Sequence, residues 1–262
     1  MDCIVSWQSD HGDWPKNTDT TKPYTGERSK LHGTFDNGAT TGELRALARG
    51  FKATGDARYE QAFLRGFDHI LKAQYANGGW PQYFPLREGY YTHITFNDGC
   101  MIRLMEFLRD ATTAEEFAFL ERDRRDLAKS ANERGIDCIL KCQVVVNGIP
   151  TVWCAQHDEV TLAPASARTY ELASLSGSES SGVLKYLVSI HKPTPQVILA
   201  VKAGTAWFVS NDFRFVATGA RNFVLAVGVR LAGSGVVQGS QCSDIGERHL
   251  AVQTSRPCHF LA

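Results

Sequence analysis

The sequence predicts an all-α fold, a toroid of three helical hairpins with long loops gathered at one rim. Two internal repeats carry that prediction. Residues 65–74 (RGFDHILKAQ) and 134–143 (RGIDCILKCQ) share seven identities in ten at an offset of 69. Each copy runs into a Gly-containing turn, and an earlier fragment, Gln8–Trp14 (QSDHGDW), aligns with Gln74–Trp80 (QYANGGW) at an offset of 66. Self-similarity at a fixed period marks an array of like structural units. A unit of 66–69 residues is too long for the short solenoid repeats. Its helical interior has room for one hairpin and one signature turn.

The third observation is helical periodicity that comes in pairs. In Asp36–Thr54, Leu44, Leu47, Ala48 and Phe51 share one face, opened by Asp and Asn and closed near Gly55. Arg58–Gln74 follows, with Phe63, Phe67, Ile70 and Leu71 as its stripe. Asp98–Asp110 and Glu121–Gln143 form the second pair. The third runs from Ser178 to Ile190 and from Pro195 to Phe208. Lys192-Pro193-Thr194-Pro195 divides it, because proline breaks a helix interior yet suits a first turn. Between the pairs lie polar, aromatic loops at 75–97 and 144–177. Loops that long inside a domain usually carry function.

Residues 209–262 differ in composition, with no Lys, Tyr or Trp and only Asp212, Asp244 and Glu247 as acids. One reading is an irregular or short-β tail. The other is an aberrant end, frameshifted or disordered, and the abrupt change after Phe208 favours it. The expected organisation is a helical domain over 1–208 and a divergent tail over 209–262.

Bulk properties narrow the partners. The chain has 262 residues, 43% apolar and 21% charged, enough for a real core. Its 28 basic and 28 acidic residues cancel, so no basic field points to nucleic acid or an anionic membrane. No run of 18 apolar residues provides a membrane span, and Met1–Asp10 does not read as a signal peptide. A monomer is expected. Seven cysteines, at 3, 100, 138, 142, 154, 242 and 258, show no paired spacing that would suggest a disulfide framework. Cys138 and Cys142 stand i,i+4 on a helix without a second ligand pair, so buried apolar thiols are expected rather than zinc.

Four stretches concentrate polar groups: FDNGAT (35–40), GYYTHITFNDG (89–99), WCAQHDE (153–159) and ARTYE (167–171). Asp36 and Asn37 open one first helix, and Asn97 and Asp98 the next. Either pair alone reads as a helix cap. In a toroid, however, first helices start at a common rim, where these oxygens converge as hard ligands suited to Ca²⁺ or Mg²⁺. His93 and His157 are candidates for acid/base work, with satisfied structural histidines as the alternative. Trp14 and Trp80 read as core wedges of the repeat, while Trp153, Tyr90 and Tyr91 are candidates for a sugar-binding floor. Arg168 and Lys185 flank SLSGSES (174–180) and bind an anion if they face the rim.

The segments WPKN (14–17), TFDNGATT (34–41), NGGWPQYFPLREGYYTHITFNDG (77–99), TVWCAQHDEVTLAPA (151–165) and YELASLSGSES (170–180) carry a specific likeness. In order, they resemble the family 10 polysaccharide lyases, pectate lyases of (α/α)3-toroid fold, over about residues 7–208. The resemblance implies a secreted or periplasmic enzyme that cleaves polygalacturonate, the acidic backbone of pectin, by β-elimination with Ca²⁺ as cofactor. It implies that Asp36 and Asn37 belong to the site, Asp36 as a catalytic and metal-holding carboxylate and Asn37 as a substrate contact. Asp98 is implied as a calcium ligand, Arg168 as the catalytic arginine, and Lys185, Tyr91, His93 and His157 as substrate-binding residues. Two departures stand out. Where the family reads FNDDAM this chain has Phe96-Asn97-Asp98-Gly99-Cys100-Met101, one carboxylate fewer. The basic residues of the family's C-terminal portion find no counterpart in 209–262.

The chemistry suits these residue types. β-Elimination removes the proton at C5, α to the uronate carboxylate, and expels the C4 oxygen. A divalent ion on the carboxylate stabilises the enolate charge. A guanidinium titrates near or above 12, so Arg168 acts either as a strongly desolvated base or as an electrostatic group beside another proton acceptor. Two other readings remain: an inverting polygalacturonate hydrolase with Asp36 and Asp98 as the carboxyl pair, and a pectin-binding relative with impaired catalysis.

Overall fold

Six of the helices pair as the repeats predict. The computed structural model describes residues 1–211 and the backbones of two further strands, Phe213–Thr218 and Asn222–Val227. After a short α1 (Asp2–Ser6), the hairpins are α2 (Thr41–Thr54) with α3 (Ala57–Ala73), α4 (Cys100–Thr113) with α5 (Arg122–Cys142), and α6 (Gly177–Val188) with α7 (Pro195–Ser210). Helices pack first against first and second against second: α2 on α4 on α6, and α3 on α5 on α7. The ends are set locally. Gly55 closes α2 in the left-handed region, Asp56 caps α3 by accepting from the Arg58 N–H, and Thr194 caps α7 ahead of Pro195.

One signature turn precedes each hairpin, and it is the same turn three times. Gln8, Gln74 and Gln143 each donate from the side-chain amide to the turn that follows, at Gly12, Gly78 and Thr151. Each also donates to a carbonyl one unit further on, at Ala62, Ala131 and Ala200, in α3, α5 and α7. The indole N–H groups of Trp14, Trp80 and Trp153 reach back to the carbonyls of Ile4, Ile70 and Ile139 at 2.7–2.9 Å. All three indoles are fully buried. Trp14 and Trp80 are the wedges expected from the sequence. Trp153 is a third wedge, not a sugar floor.

The wedges need a gap in the facing helix. Gly66 and Gly135 supply it: a Cβ there would come within 2.9 and 3.1 Å of the Trp14 and Trp80 rings. Gly204 is their equivalent opposite Trp153. Neighbouring hairpins are therefore joined by an amide clamp and a buried aromatic wedge, and one apolar cluster runs through all three.

The long loops are partly ordered as small sheets. Strands β1 (Ile94–Thr95), β4 (Gln156–His157) and β5 (Pro164–Ala165) form one sheet in the order β1-β4-β5, and β2 (Val145–Val146) pairs with β3 (Ile149–Pro150). Helix α7 runs on to Ser210, past the predicted boundary at Phe208. Strands β6 (Phe213–Thr218) and β7 (Asn222–Val227) pair antiparallel, as the short-β reading of the tail expects. The rest of the tail lies outside the described residues. Among those described, no helix is long and apolar enough to cross a membrane. The five described cysteines are unpaired, with Cys138 and Cys142 buried and their sulfurs 4.0 Å apart.

Candidate active site

The backbone carbonyl of each signature tryptophan accepts from the segment that leads into its first helix: Thr34 N–H to Trp14 at 3.0 Å, Thr95 N–H to Trp80 at 3.2 Å, Ser176 N–H to Trp153 at 2.8 Å. The lead-in segments are thereby held alike, and the helix starts fall on one side. The turn Asp36–Gly38 lies against the turn Asn97–Gly99, which also touches α6. This is the rim expected from the sequence.

These two turns are not the first residues of α-helices. Each is a separate 3-10 turn, in which Asn37 (φ 52°) and Asp98 (φ 50°) occupy the left-handed region ahead of Gly38 and Gly99. Asn, Asp and Gly tolerate that region best. The helical periodicity of the flanking segment hides the break.

Asp36 is buried, at 2% exposure. Its Oδ2 accepts from the Lys16 ammonium at 2.6 Å and the Gln82 amide at 2.8 Å, and its Oδ1 from the Asn37 N–H at 3.0 Å. Donors thus meet both of its oxygens. Asn37 is exposed and reaches the carbonyl oxygen of the Asn17 side chain at 3.5 Å.

Asp98 is half-buried, and the Asn97 amide donates to its Oδ2 at 2.8 Å. Arg103, one turn into α4, donates to the Asp98 backbone carbonyl and passes over both Gly38 and Gly99. Beneath lies Cys100, whose thiol is pushed up by burial and by the charges of Asp36 and Asp98, with Arg103 opposing.

The aromatic loop lines one flank. The Tyr90 and Tyr91 ring centres are 4.1 Å apart, Tyr83 meets Tyr91 edge-on at 5.2 Å, and the Arg87 guanidinium sits over Tyr83 at 4.6 Å. Burial raises the Tyr90 phenol, its contact with Tyr91 adds to that, and Arg168 pulls the other way. Arg168 is thus a neighbour of the loop. It is exposed and holds a bidentate ion pair with Glu171, Nε to Oε2 at 2.9 Å. A guanidinium with that partner is a fixed cation rather than a proton acceptor.

Three expected residues are placed otherwise. His157 is wholly buried: its Nδ1 donates to the Leu162 carbonyl at 2.9 Å and its Nε2 accepts from the Cys154 N–H at 3.2 Å. Burial depresses it to about 4. It is a neutral tie between loops with no ring nitrogen left for a substrate, which corrects its expected role. Lys185 is on the last turn of α6, the helix that touches the Asn97–Gly99 turn. The lysine at the rim is Lys16. His93 is half-buried beside the loop, with Nδ1 2.9 Å from Glu159. Burial alone would raise Glu159, but hydrogen bonds from His93 and Thr92 bring it below its usual range.

Lys16, Gln82, Arg103 and Glu171 were not singled out from the sequence. Lys16 and Gln82 stand within the segments that carry the likeness (WPKN and NGGWPQYF) but have no intrinsic signature. Arg103 looks like an ordinary helix-surface cation until the turn before it is known.

The oxygen donors of Asp98 and Asn37, on an accessible rim, fit a hard cation such as calcium. Asp36 fits less well as a direct ligand, because Lys16 and Gln82 already occupy its Oδ2.

A helical array whose hairpin starts build one polar rim of carboxylates, cations and tyrosines offers a site suited to a charged, hydroxylated ligand. The family model for pectic acid lyases matches residues 8–260, and the chain belongs to that family. The match extends beyond Phe208, where the sequence likeness was expected to end. Two solved structures are similar. A family 10 polysaccharide lyase from Cellvibrio cellulosa is 40% identical at a TM-score of 0.74, covering 79% of this chain and 65% of that one. An aspartate-to-alanine mutant of that lyase, in complex with trigalacturonic acid, is 39% identical at 0.75, covering 82% and 68%. The chain thus spans about two thirds of the length of these structures. No curated protein matches it.

Proposed function

We propose that the rim is the active site of a pectate lyase that cleaves de-esterified polygalacturonate by β-elimination and leaves 4,5-unsaturated oligogalacturonides. One observation carries this reading: the turns of Asp36 and Asp98 lie against each other, with Lys16 and Arg103 interleaved. Such alternation of carboxylate and cation suits a polymer with a negative charge on every sugar. The galacturonate-bound relative supports the choice of uronate.

Asp98 and Asn37 would hold a calcium ion, which would neutralise charge at the uronate carboxylate. Asp36 orients Lys16 toward the same cleft, and the ammonium engages a neighbouring uronate. A solvent base at the accessible rim takes the C5 proton, and the C4 oxygen leaves with the C–O electron pair and is protonated by water. Arg168, fixed by Glu171, stabilises the negative charge that develops between the two events. Tyr90 and Tyr91 shield that flank from water. Since the polymer is too large to enter a cell, the enzyme works as a secreted or periplasmic monomer.

Absorbance at the unsaturated-uronide band with polygalacturonate, in calcium and in chelator, tests the proposal. Growth of that band only with calcium is the expected result. New reducing ends without the band would point to hydrolysis instead.

A further inference from the structure

The Arg87 guanidinium is held by aromatic faces rather than by an acid. It lies 4.6 Å from the centre of the Tyr83 ring and 5.4 Å from that of Tyr91. Arg87 is exposed, and among the described residues no carboxylate pairs with it. A guanidinium seated on π faces keeps its N–H fork in the plane of the group. That fork matches the two oxygens of a carboxylate.

The seat is coupled to the rim. Tyr83 follows Gln82, whose side chain donates to Asp36 at 2.8 Å and whose N–H donates to the Tyr91 carbonyl at 3.2 Å. Tyr91 packs at a tilt against Tyr90, and Tyr90 in turn lies within the electrostatic reach of Arg168 and Glu171. A chain of contacts therefore runs from Asp36 through Gln82 and the tyrosines to Arg168, and Arg87 is seated on the tyrosines.

Resting on the reading of the rim as a pectate site, we infer that Arg87, Tyr83 and Tyr91 form an additional uronate subsite. Arg87 takes the carboxylate as a bidentate pair, and the tyrosines hold the guanidinium flat and offer their edges to the sugar. The subsite lies outside the reacting centre. It lengthens the stretch of charged polymer that is gripped, and it discriminates against methyl-esterified units, which offer no second anionic oxygen.

The test is titration calorimetry of the full chain with trigalacturonate and with its methyl-esterified form, alongside the lyase assay. Arg87→Ala is expected to weaken trigalacturonate binding by roughly 10- to 100-fold, the worth of a charge-assisted pair. Binding of the ester should be untouched and the melting temperature unchanged. KM should rise with kcat little altered. Arg87→Lys keeps the charge and loses the fork, so it should recover only part of the affinity. Unchanged binding by Arg87→Ala, equal losses for acid and ester, or full recovery by Arg87→Lys would each overturn the subsite. A wild-type chain that neither binds trigalacturonate nor yields unsaturated product would sink the pectate reading itself. Wild-type activity with an indifferent Arg87→Ala would sink the subsite alone.

Discussion

The turns Asp36–Gly38 and Asn97–Gly99 have one backbone and opposite side-chain orders. Both follow a Thr-Phe pair, and both place their second residue at φ near 50°. The first reads Asp-Asn, so its acid falls on the right-handed position and turns inward, at 2% exposure, to Lys16 and Gln82. The second reads Asn-Asp, so its acid falls on the left-handed position and stays half-exposed beside Arg103. A repeated backbone thus yields two different carboxylates, one that anchors the rim and one that faces the cleft. The signature turns show the opposite behaviour, because Gln, Trp and the facing Gly recur with their hydrogen bonds intact. Scaffold contacts are copied, whereas rim chemistry is varied on a copied frame.

The largest expected effect comes from breaking a scaffold contact. Trp80→Ala removes a fully buried indole and leaves its cavity between two hairpins, at a cost of about 3–5 kcal/mol. Chemical denaturation should show a lower midpoint, and a loss under about 1 kcal/mol would mean that the hairpins do not depend on the wedge.

The rim comes next, and there the two acids should part company. Asp98→Asn is expected to lower kcat/KM by roughly 10²–10³-fold, a loss of about 2.7–4 kcal/mol in transition-state stabilisation, with little change in melting temperature. Asp36→Asn should lower activity and also melting temperature, because it removes the charge that Lys16 pairs with and leaves one acceptor oxygen where Lys16, Gln82 and the Asn37 N–H use two. That structural share is about 1–2 kcal/mol, given that Lys16 retains some solvent contact. Equal melting temperatures for both variants would erase the distinction between anchor and cleft acid.

Between these in nature is His157, which ties the loops behind the Asp98 turn. Its folded value of about 4 lies below the ordinary 6.5. The unfolded chain therefore binds the proton first. Stability should be constant above pH 6.5, fall as the pH drops towards 4, and level off for this group below that, a total of about 3 kcal/mol at most. The slope should vanish in His157→Asn, once the common acid loss from carboxylates such as Asp158 is subtracted. A wild-type slope of zero between pH 6.5 and 4 would contradict the buried neutral histidine.

What was legible in the sequence follows the same division. Apolar stripes and the Gln…Trp turns repeat at the level of residue type, so the hairpins and two of the three wedges could be read directly. The third wedge, Trp153, is preceded by a longer turn, VVVNGIPTVW, that masks the repeat. Asp36 and Asp98 were legible as a converging pair through their places ahead of two first helices. Lys16, Gln82 and Arg103 were not, since their roles come from tertiary neighbours. Lys185 stands eight residues after Gly177 on α6, a rise of about 12 Å along the helix, a placement that the SLSGSES segment does not reveal by itself.

The smallest effect tests whether the scaffold copies are complete. Arg65 and Arg134 donate to the side-chain oxygens of Gln8 and Gln74, each one residue before the helix glycine. In the third unit the glycine is Gly204 and the preceding residue is Ala203, so the clamp of Gln143 has its two amide donations but no arginine. Ala203→Arg should supply the missing contact. A charge-assisted hydrogen bond on a partly exposed surface, less the entropy of ordering the side chain, leaves about 0.5–1.5 kcal/mol. For a domain of this size that raises the melting temperature by roughly 1–5 °C. Gln143→Ala in the same background should abolish the gain, because the arginine then has no acceptor. An increase that survives Gln143→Ala would show that the added side chain stabilises by simple surface packing, and that the third clamp differs from the first two in more than a missing arginine.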